Sequence, residues 1–338
     1  MSRKLIFIVV TITTLLVLTG AFQLITPTSI MVHTPLQPSY GPGGSNYTHE
    51  MVKEHIYGEG EKQYWIFEPA SPTPDSAPVI VFNHGWGATS PTFYQAWINH
   101  LVRQGYLVIY PRYQSDIFTP SDNFTSNSIQ ATQDALQVLQ SGDHVRPELD
   151  KFAIVGHSVG GLITVNLAAL SKEKGLPQPK AVFAVEPGKS RTPEDQVGPV
   201  LENLTKIPSN TLLLSLAGDQ DNWVGDADAK RIIRDTKQIS SENKDYILML
   251  SDEHGNPALL ADHFAPLAAE FSNQKYNLYF LVDARDYYGT WKLFDGLLEA
   301  AFYGKNREYA LGNTSQQRFM GIWSDKTPVK ELIVTDIP

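Results

Sequence analysis

Residues 152–161 read FAIVGHSVGG, and this stretch constrains the fold more than any other in the chain. An apolar run, 152–155, enters a Gly-x-Ser-x-Gly turn, Gly156-His157-Ser158-Val159-Gly160. Small residues, Gly160 and Gly161, then open a long apolar segment reaching Leu170. A buried strand that turns sharply into a helix through this pattern lifts a serine hydroxyl clear of a sheet. The serine sits in strained backbone geometry, and side chains at Gly156 or Gly160 would collide with the neighbouring strand and helix. The new helix also aims its first N–H groups at the same spot.

Around this turn the chain alternates between strand and helix patterns. Met51–Tyr57 and 63–67 read as strands joined through Gly58-Glu59-Gly60, an antiparallel hairpin. Strands follow at 78–82 and 106–110, with a helix at 91–104 that sets Phe93, Trp97, Ile98 and Leu101 on one face, and a second helix at 128–139. Beyond the serine turn come strands at Ala181–Val185, 212–216 and 246–250, a helix at 290–302 and a strand-like 331–335. This alternation predicts an α/β fold: a mostly parallel central sheet with an N-terminal antiparallel hairpin and helices on both faces. With 338 residues, 42% hydrophobic and 19% charged, there is ample material for one large domain, placed at 49–338.

Charge and cysteine content narrow the chemistry. A net charge of −9 argues against a nucleic-acid backbone or an anionic membrane surface as the main partner. The absence of cysteine excludes disulfides, thiolate catalysis and Cys-based metal centres. At the N-terminus, Arg3 and Lys4 precede the apolar stretch 5–18 and then Thr19-Gly20-Ala21. Residues 1–25 therefore read as a signal peptide cut after Ala21, or as a single retained membrane anchor with apolar character through Ile25. Either reading exports the body of the protein. Residues 26–48, rich in Pro, Gly, Ser and Thr, read as a linker or extended lead-in.

In open α/β sheets, function gathers at the carboxyl ends of strands. After strand 78–82 comes His84-Gly85-Trp86-Gly87, where the Trp86 backbone N–H is a candidate oxyanion donor beside that of Val159. His84 itself comes too early to be the base and is expected to orient the loop. After strand 212–216 comes Ala217-Gly218-Asp219-Gln220-Asp221-Asn222-Trp223-Val224. Asp219, Asp221 and Asp226 compete there to orient a histidine, and Asp221 is favoured by the apolar Trp223-Val224 anchor after it. After strand 246–250 two histidines compete for the base: His254, nearer the strand end, and His263, which precedes a helical-looking 267–271. The order Ser, Asp, His is the one this turn requires. Trp86, Tyr113, Phe118, Trp223 and Phe264 lie on loops beside the site and are candidate pocket aromatics. His49 and His55 share a strand face at even spacing, but no third metal ligand is evident and a solvated face is expected.

Gly156-His157-Ser158-Val159-Gly160-Gly161, Gly218-Asp219-Gln220-Asp221-Asn222-Trp223-Val224 and His263-Phe264-Ala265-Pro266 together carry a resemblance. Over roughly residues 50–325 the chain resembles the α/β-hydrolase superfamily. Within it, the chain is similar to the branch of bacterial cutinases, polyester hydrolases, platelet-activating-factor acetylhydrolases and chlorophyllases. In cutinase-like members a His-Phe-Ala-Pro stretch carries the catalytic histidine, which implies His263, and the same resemblance implies Asp221 as the acid. It implies a serine hydrolase that cleaves carboxylic esters through an acyl-enzyme, with Ser158 as nucleophile and no metal or organic cofactor. A small neutral ester is the expected partner. A serine peptidase or amidase with the same triad, and a membrane-tethered, non-catalytic binding protein on the same scaffold, are the alternatives.

Overall fold

Nine strands make one sheet because most of them are apolar at every position and must be covered on both faces. In the computed structural model, which describes residues 31–193, 196–269 and 280–338, they are β1 (Met51–Tyr57), β2 (Tyr64–Ala70), β3 (Ser76–Asn83), β4 (Leu107–Pro111), β5 (Arg146–His157), β6 (Ala181–Val185), β7 (Leu212–Gly218), β8 (Lys244–Met249) and β9 (Ile333–Thr335). Their order is β1-β2-β4-β3-β5-β6-β7-β8-β9. The six from β4 to β8 run parallel, β1 and β2 form the antiparallel hairpin at one edge, and β9 closes the other edge antiparallel to β8. The α/β-hydrolase architecture is thus present, with one addition: the C-terminal strand pairs in the sheet.

Side-chain alternation sorts the covering helices. Val79 and Val81 join the cluster that includes Phe124, Ile129, Ile163, Leu167, Ala229 and Ile232, so α2 (Phe124–Val138), α3 (Val159–Leu170) and α4 (Ala227–Asp235) pack on that face. Phe82 points the other way, onto Trp97 of α1 (Gln95–Gln104), with ring centroids 5.1 Å apart. Phe183 meets Phe294 of α5 (Trp291–Tyr303) at 6.0 Å on the same side. The short helix α4 has no counterpart in the pattern read from sequence.

Residues 33–48 form no helix or strand but are tied to distant parts of the chain. The His33 N–H donates to Ser324 Oγ at 2.9 Å, and the Gly43 N–H donates to buried Asp295 at 2.7 Å. A compact unit spans His33–Pro338. The expected signal peptide or anchor lies outside the described residues, and no described helix is long and apolar enough to cross a membrane. Residues 267–269, expected to begin a helix, are not helical; the rest of that segment lies outside the described residues.

The chain leaves β3 for β4 on one side and returns through β5 on the other. The crevice at the carboxyl ends of β3 and β5 is therefore the topological switch point, where ligands of open α/β sheets bind.

Candidate active site

Ser158 stands at that crevice with φ 59° and ψ −128°, between the end of β5 and the start of α3. Its own N–H is held by the Val185 carbonyl at 2.9 Å, and its carbonyl accepts from Gly161 N–H at 2.9 Å. The glycines are forced by contact. A Cβ on Gly156 would fall into the Gly160 carbonyl and Thr164 Oγ1, and one on Gly160 into the carbonyls of Asn83 and His84. Strand β3 thus lies directly behind the turn, which also brings the loop after β3 over the serine.

The histidine that reaches Ser158 is His263. Its Nε2 lies 2.9 Å from Ser158 Oγ, and its Nδ1 lies 2.8 Å from Asp221 Oδ2. The other Asp221 oxygen accepts from the N–H groups of Trp223 and Val224, both at 3.0 Å. Burial works to raise the Asp221 pKa, but the His263 hydrogen bond and the two backbone N–H groups outweigh it and hold the carboxyl below the ordinary range. Asp221 therefore stays charged at the one place where a histidine needs a counter-ion.

Asp219 and Asp226 serve the scaffold. Asp219 accepts from the N–H and hydroxyl of Ser251, at 2.9 and 2.6 Å, and Ser251 Oγ in turn accepts from Ala261 N–H. Asp226 pairs with Lys230 at 2.8 Å and accepts from Tyr246 at 3.1 Å. An antiparallel bridge between Asp252 and Leu259 closes residues 252–259 into a side loop. The chain re-enters at Ala261, tight against Gly218, where any Cβ would strike the Ala261 carbonyl. His254 is carried out on that loop and pairs with Asp325 at 2.8 Å, while His263 is delivered to the serine.

Trp86 and Val159 flank Ser158, and among the described residues neither backbone N–H has a protein hydrogen-bond partner. A Cβ on Gly85 would sit 3.4 Å from the Ser158 Cβ, so the loop after β3 is in contact with Ser158. The loop is fixed from below: Gly87 N–H donates to Gln114 Oε1 at 2.9 Å, and the Trp86 ring N–H donates to the Ile117 carbonyl at 3.1 Å. His84 stacks on Tyr113 at 4.0 Å, with its ring nitrogens 2.7 Å from the Gly85 and Arg112 carbonyls. Burial pushes its pKa down to about 4.

Behind Ser158, His263 and Asp221 lies a second layer that no sequence motif marks. Glu186, at the carboxyl end of β6, is buried with φ 45°. One of its oxygens lies 3.4 Å from His157 Nε2 and 3.8 Å from His263 Nδ1. Burial, then the charges of Asp221 and Asp262, push its pKa well above the carboxylate range. Burial and the neighbouring His263 push His157 well below the usual imidazole range. Gly85 N–H donates to Tyr94 Oη at 2.9 Å, which leaves the tyrosine proton for His157 Nδ1 at 2.8 Å. The signal for Glu186 is its place in the chain. It is the first residue after β6, at the same carboxyl edge that supplies Trp86 after β3 and Asp221 after β7.

A cavity of about 310 Å³ opens at Ser158, walled by Trp86, Tyr94, Val159, Trp223, Val224, Phe264 and Leu267, with Lys189 at its edge. Of the five candidate aromatics, Trp86, Trp223 and Phe264 line it. Tyr113 is instead buried under His84, and Phe118 stands exposed. No described residue from 285–338 lines the cavity. His49 and His55 do not share a site: His49 is buried before β1, with Nδ1 at 2.5 Å from the Pro72 carbonyl, whereas His55 lies within β1.

No curated protein matches the chain. The family model for chlorophyllase matches residues 43–214, just over half of the chain. The matched span includes Trp86, Ser158, Val159 and Glu186, and ends before Asp221 and His263. Together with the mixed nine-stranded sheet, the match assigns the protein: it belongs to the chlorophyllase family, an α/β-hydrolase-type family of hydrolases that act on esters.

Proposed function

We propose that the protein is a serine carboxylester hydrolase working through an acyl-enzyme. One observation carries the reading: His263 bridges Ser158 and Asp221 with hydrogen bonds of 2.9 and 2.8 Å at the switch point of the sheet. Ser158 Oγ attacks the ester carbonyl as His263 Nε2 takes its proton. The Trp86 and Val159 N–H groups stabilise the oxyanion, each such donor contributing about 3 kcal/mol. His263 then protonates the leaving alcohol, and a water activated by the same nitrogen releases the acid. Asp221 keeps the histidine in the tautomer that presents a free Nε2. The small apolar cavity suits a neutral ester with a modest acyl or alcohol group better than a polyanion.

The test is hydrolysis of p-nitrophenyl esters by wild type, Ser158→Ala, His263→Ala and His254→Ala. The first two variants should lose about a thousandfold or more in kcat/KM, and the third should remain active. A parallel panel of anilides and peptides separates ester from amide cleavage. Absence of ester turnover together with no fluorophosphonate labelling of Ser158 rejects the reading.

A further inference from the structure

The outer hairpin gathers three ligating side chains that the hydrolytic reading leaves unused. In the β1–β2 register Lys53 faces Glu68 and His55 faces Ile66, so His55 and Glu68 are diagonal neighbours on one face of the pair. The turn leading into β5 adds His144. His55 Nε2 lies 3.3 Å from Glu68 Oε1, and His144 Nδ1 hydrogen-bonds that same oxygen. All three ligand atoms fall within 4.8 Å of one another. In a tetrahedral site with bonds of about 2.0–2.1 Å, neighbouring ligand atoms stand roughly 3.3 Å apart. The His55–Glu68 edge already has that length. The His144–Glu68 edge needs only to exchange its shared proton for the ion and widen.

Three further features mark the cluster as prepared for a cation. His55 Nε2 is buried and makes no hydrogen bond. Glu68 is 2% exposed, and its other oxygen accepts the Val145 N–H at 2.9 Å, which fixes the carboxylate and leaves Oε1 to the two histidines. His144 Nε2 lies 3.0 Å from Tyr57 Oη. With Nδ1 on a metal, that Nε2–H donates to the tyrosine, the outer hydrogen bond that orients a ligating histidine. The His55 and His144 side chains keep partial exposure, 23% and 12%, which admits the ion and one water. Two imidazoles and one carboxylate favour zinc and its first-row neighbours over calcium or magnesium, which take oxygen ligands.

We propose that His55, Glu68 and His144 form a zinc-type divalent metal site that staples the β1–β2 hairpin to the head of β5. It sits at the opposite end of β5 from Ser158, so its role is in stability and it stands independently of the hydrolytic reading.

The experiment uses the full chain, stripped with chelator and titrated with Co²⁺ and then Zn²⁺. Co²⁺ should bind with one equivalent and give the visible ligand-field absorption of a low-coordinate site, and excess Zn²⁺ should displace it and raise Tm by about a few degrees. His55→Ala and His144→Ala should each weaken binding about tenfold or more and abolish the Tm gain. His263→Ala should change neither, which separates this cluster from the His157–Glu186–His263 group. Should the histidine variants not fold, X-ray absorption of the zinc-loaded wild type counts the imidazoles directly. No ligand-field band with no Tm shift, binding that survives both histidine variants, or fewer than two imidazoles on the zinc overturns the site.

Discussion

Glu186 and Asp221 approach the same nitrogen of His263, at 3.8 and 2.8 Å, yet their surroundings push the two carboxyl pKa values in opposite directions. Asp221 has two backbone N–H groups on its far oxygen, whereas Glu186 Oε2 has no hydrogen-bond partner. Glu186 is therefore pushed toward its protonated form. Its folded pKa is raised above the ordinary 4.5, so its contribution to stability is full below that value and declines as pH rises toward the folded pKa. Glu186→Gln keeps the shape and removes this slope. In urea melts, the variant should gain on wild type as pH rises above about 4.5, with kcat/KM within about tenfold of wild type. A flat stability difference would mean an ionised Glu186, and a loss as large as that of an Asp221 variant would make Glu186 the orienting acid.

Asp221→Asn should be the costly counterpart. An amide cannot serve as counter-ion, and it favours the tautomer with the proton on the wrong nitrogen, a change worth about 10⁴ in kcat in a triad of this kind. The depressed pKa of Asp221 gives stability that is present above the ordinary 3.8 and is lost as pH falls through the folded value. The stability gap between wild type and variant should therefore shrink in acid. Steady-state kinetics at neutral pH, with melts at neutral and acid pH, check both halves. Asp219→Asn should lose far less activity, since it acts only through Ser251 and Ala261.

The parts of this site that are legible in sequence are those set by local chain geometry. Gly156 and Gly160 announce the serine turn because close backbone contact leaves no room for a Cβ, and the apolar runs of β3 and β5–β7 announce strands buried on both faces. The choice between His254 and His263 is not local. It is decided by the Asp252–Leu259 bridge, which loops one histidine out and delivers the other, and periodicity does not encode that pairing. Glu186 escapes a sequence reading for a different reason: a single carboxyl in a short loop carries no pattern, and its effect comes from burial. Residues 33–48 read as linker or lead-in by composition, but the tie from Gly43 to Asp295 depends on a partner far along the chain. The β9 pairing is likewise long-range, closing the sheet from the C-terminal tail.

Ser158 holds its place in the turn at the cost of backbone strain, at φ 59° and ψ −128°, a region that glycine enters freely and other residues do not. Ser158→Gly should be more stable than Ser158→Ala by about 1 kcal/mol or more, although both should be inactive, because only glycine relieves the conformation. Equal urea midpoints for the two variants would place the cost elsewhere in the turn.

Trp223 offers the cleanest route to substrate preference. Its backbone N–H holds Asp221, a contact any residue but proline supplies, while the residue is 64% exposed and its ring lies parallel to His263 at 6.2 Å and meets Phe264 at 5.4 Å. Trp223→Ala thus widens the cavity without disturbing the acid or the core. Stability should stay within about 0.5 kcal/mol of wild type. The kcat/KM ratio of an eight-carbon to a four-carbon p-nitrophenyl ester should rise about tenfold, in keeping with the small discrimination an apolar wall provides per methylene. An unchanged ratio would mean that the acyl chain runs along Trp86 and Leu267 instead, and Leu267→Ala would then carry the shift.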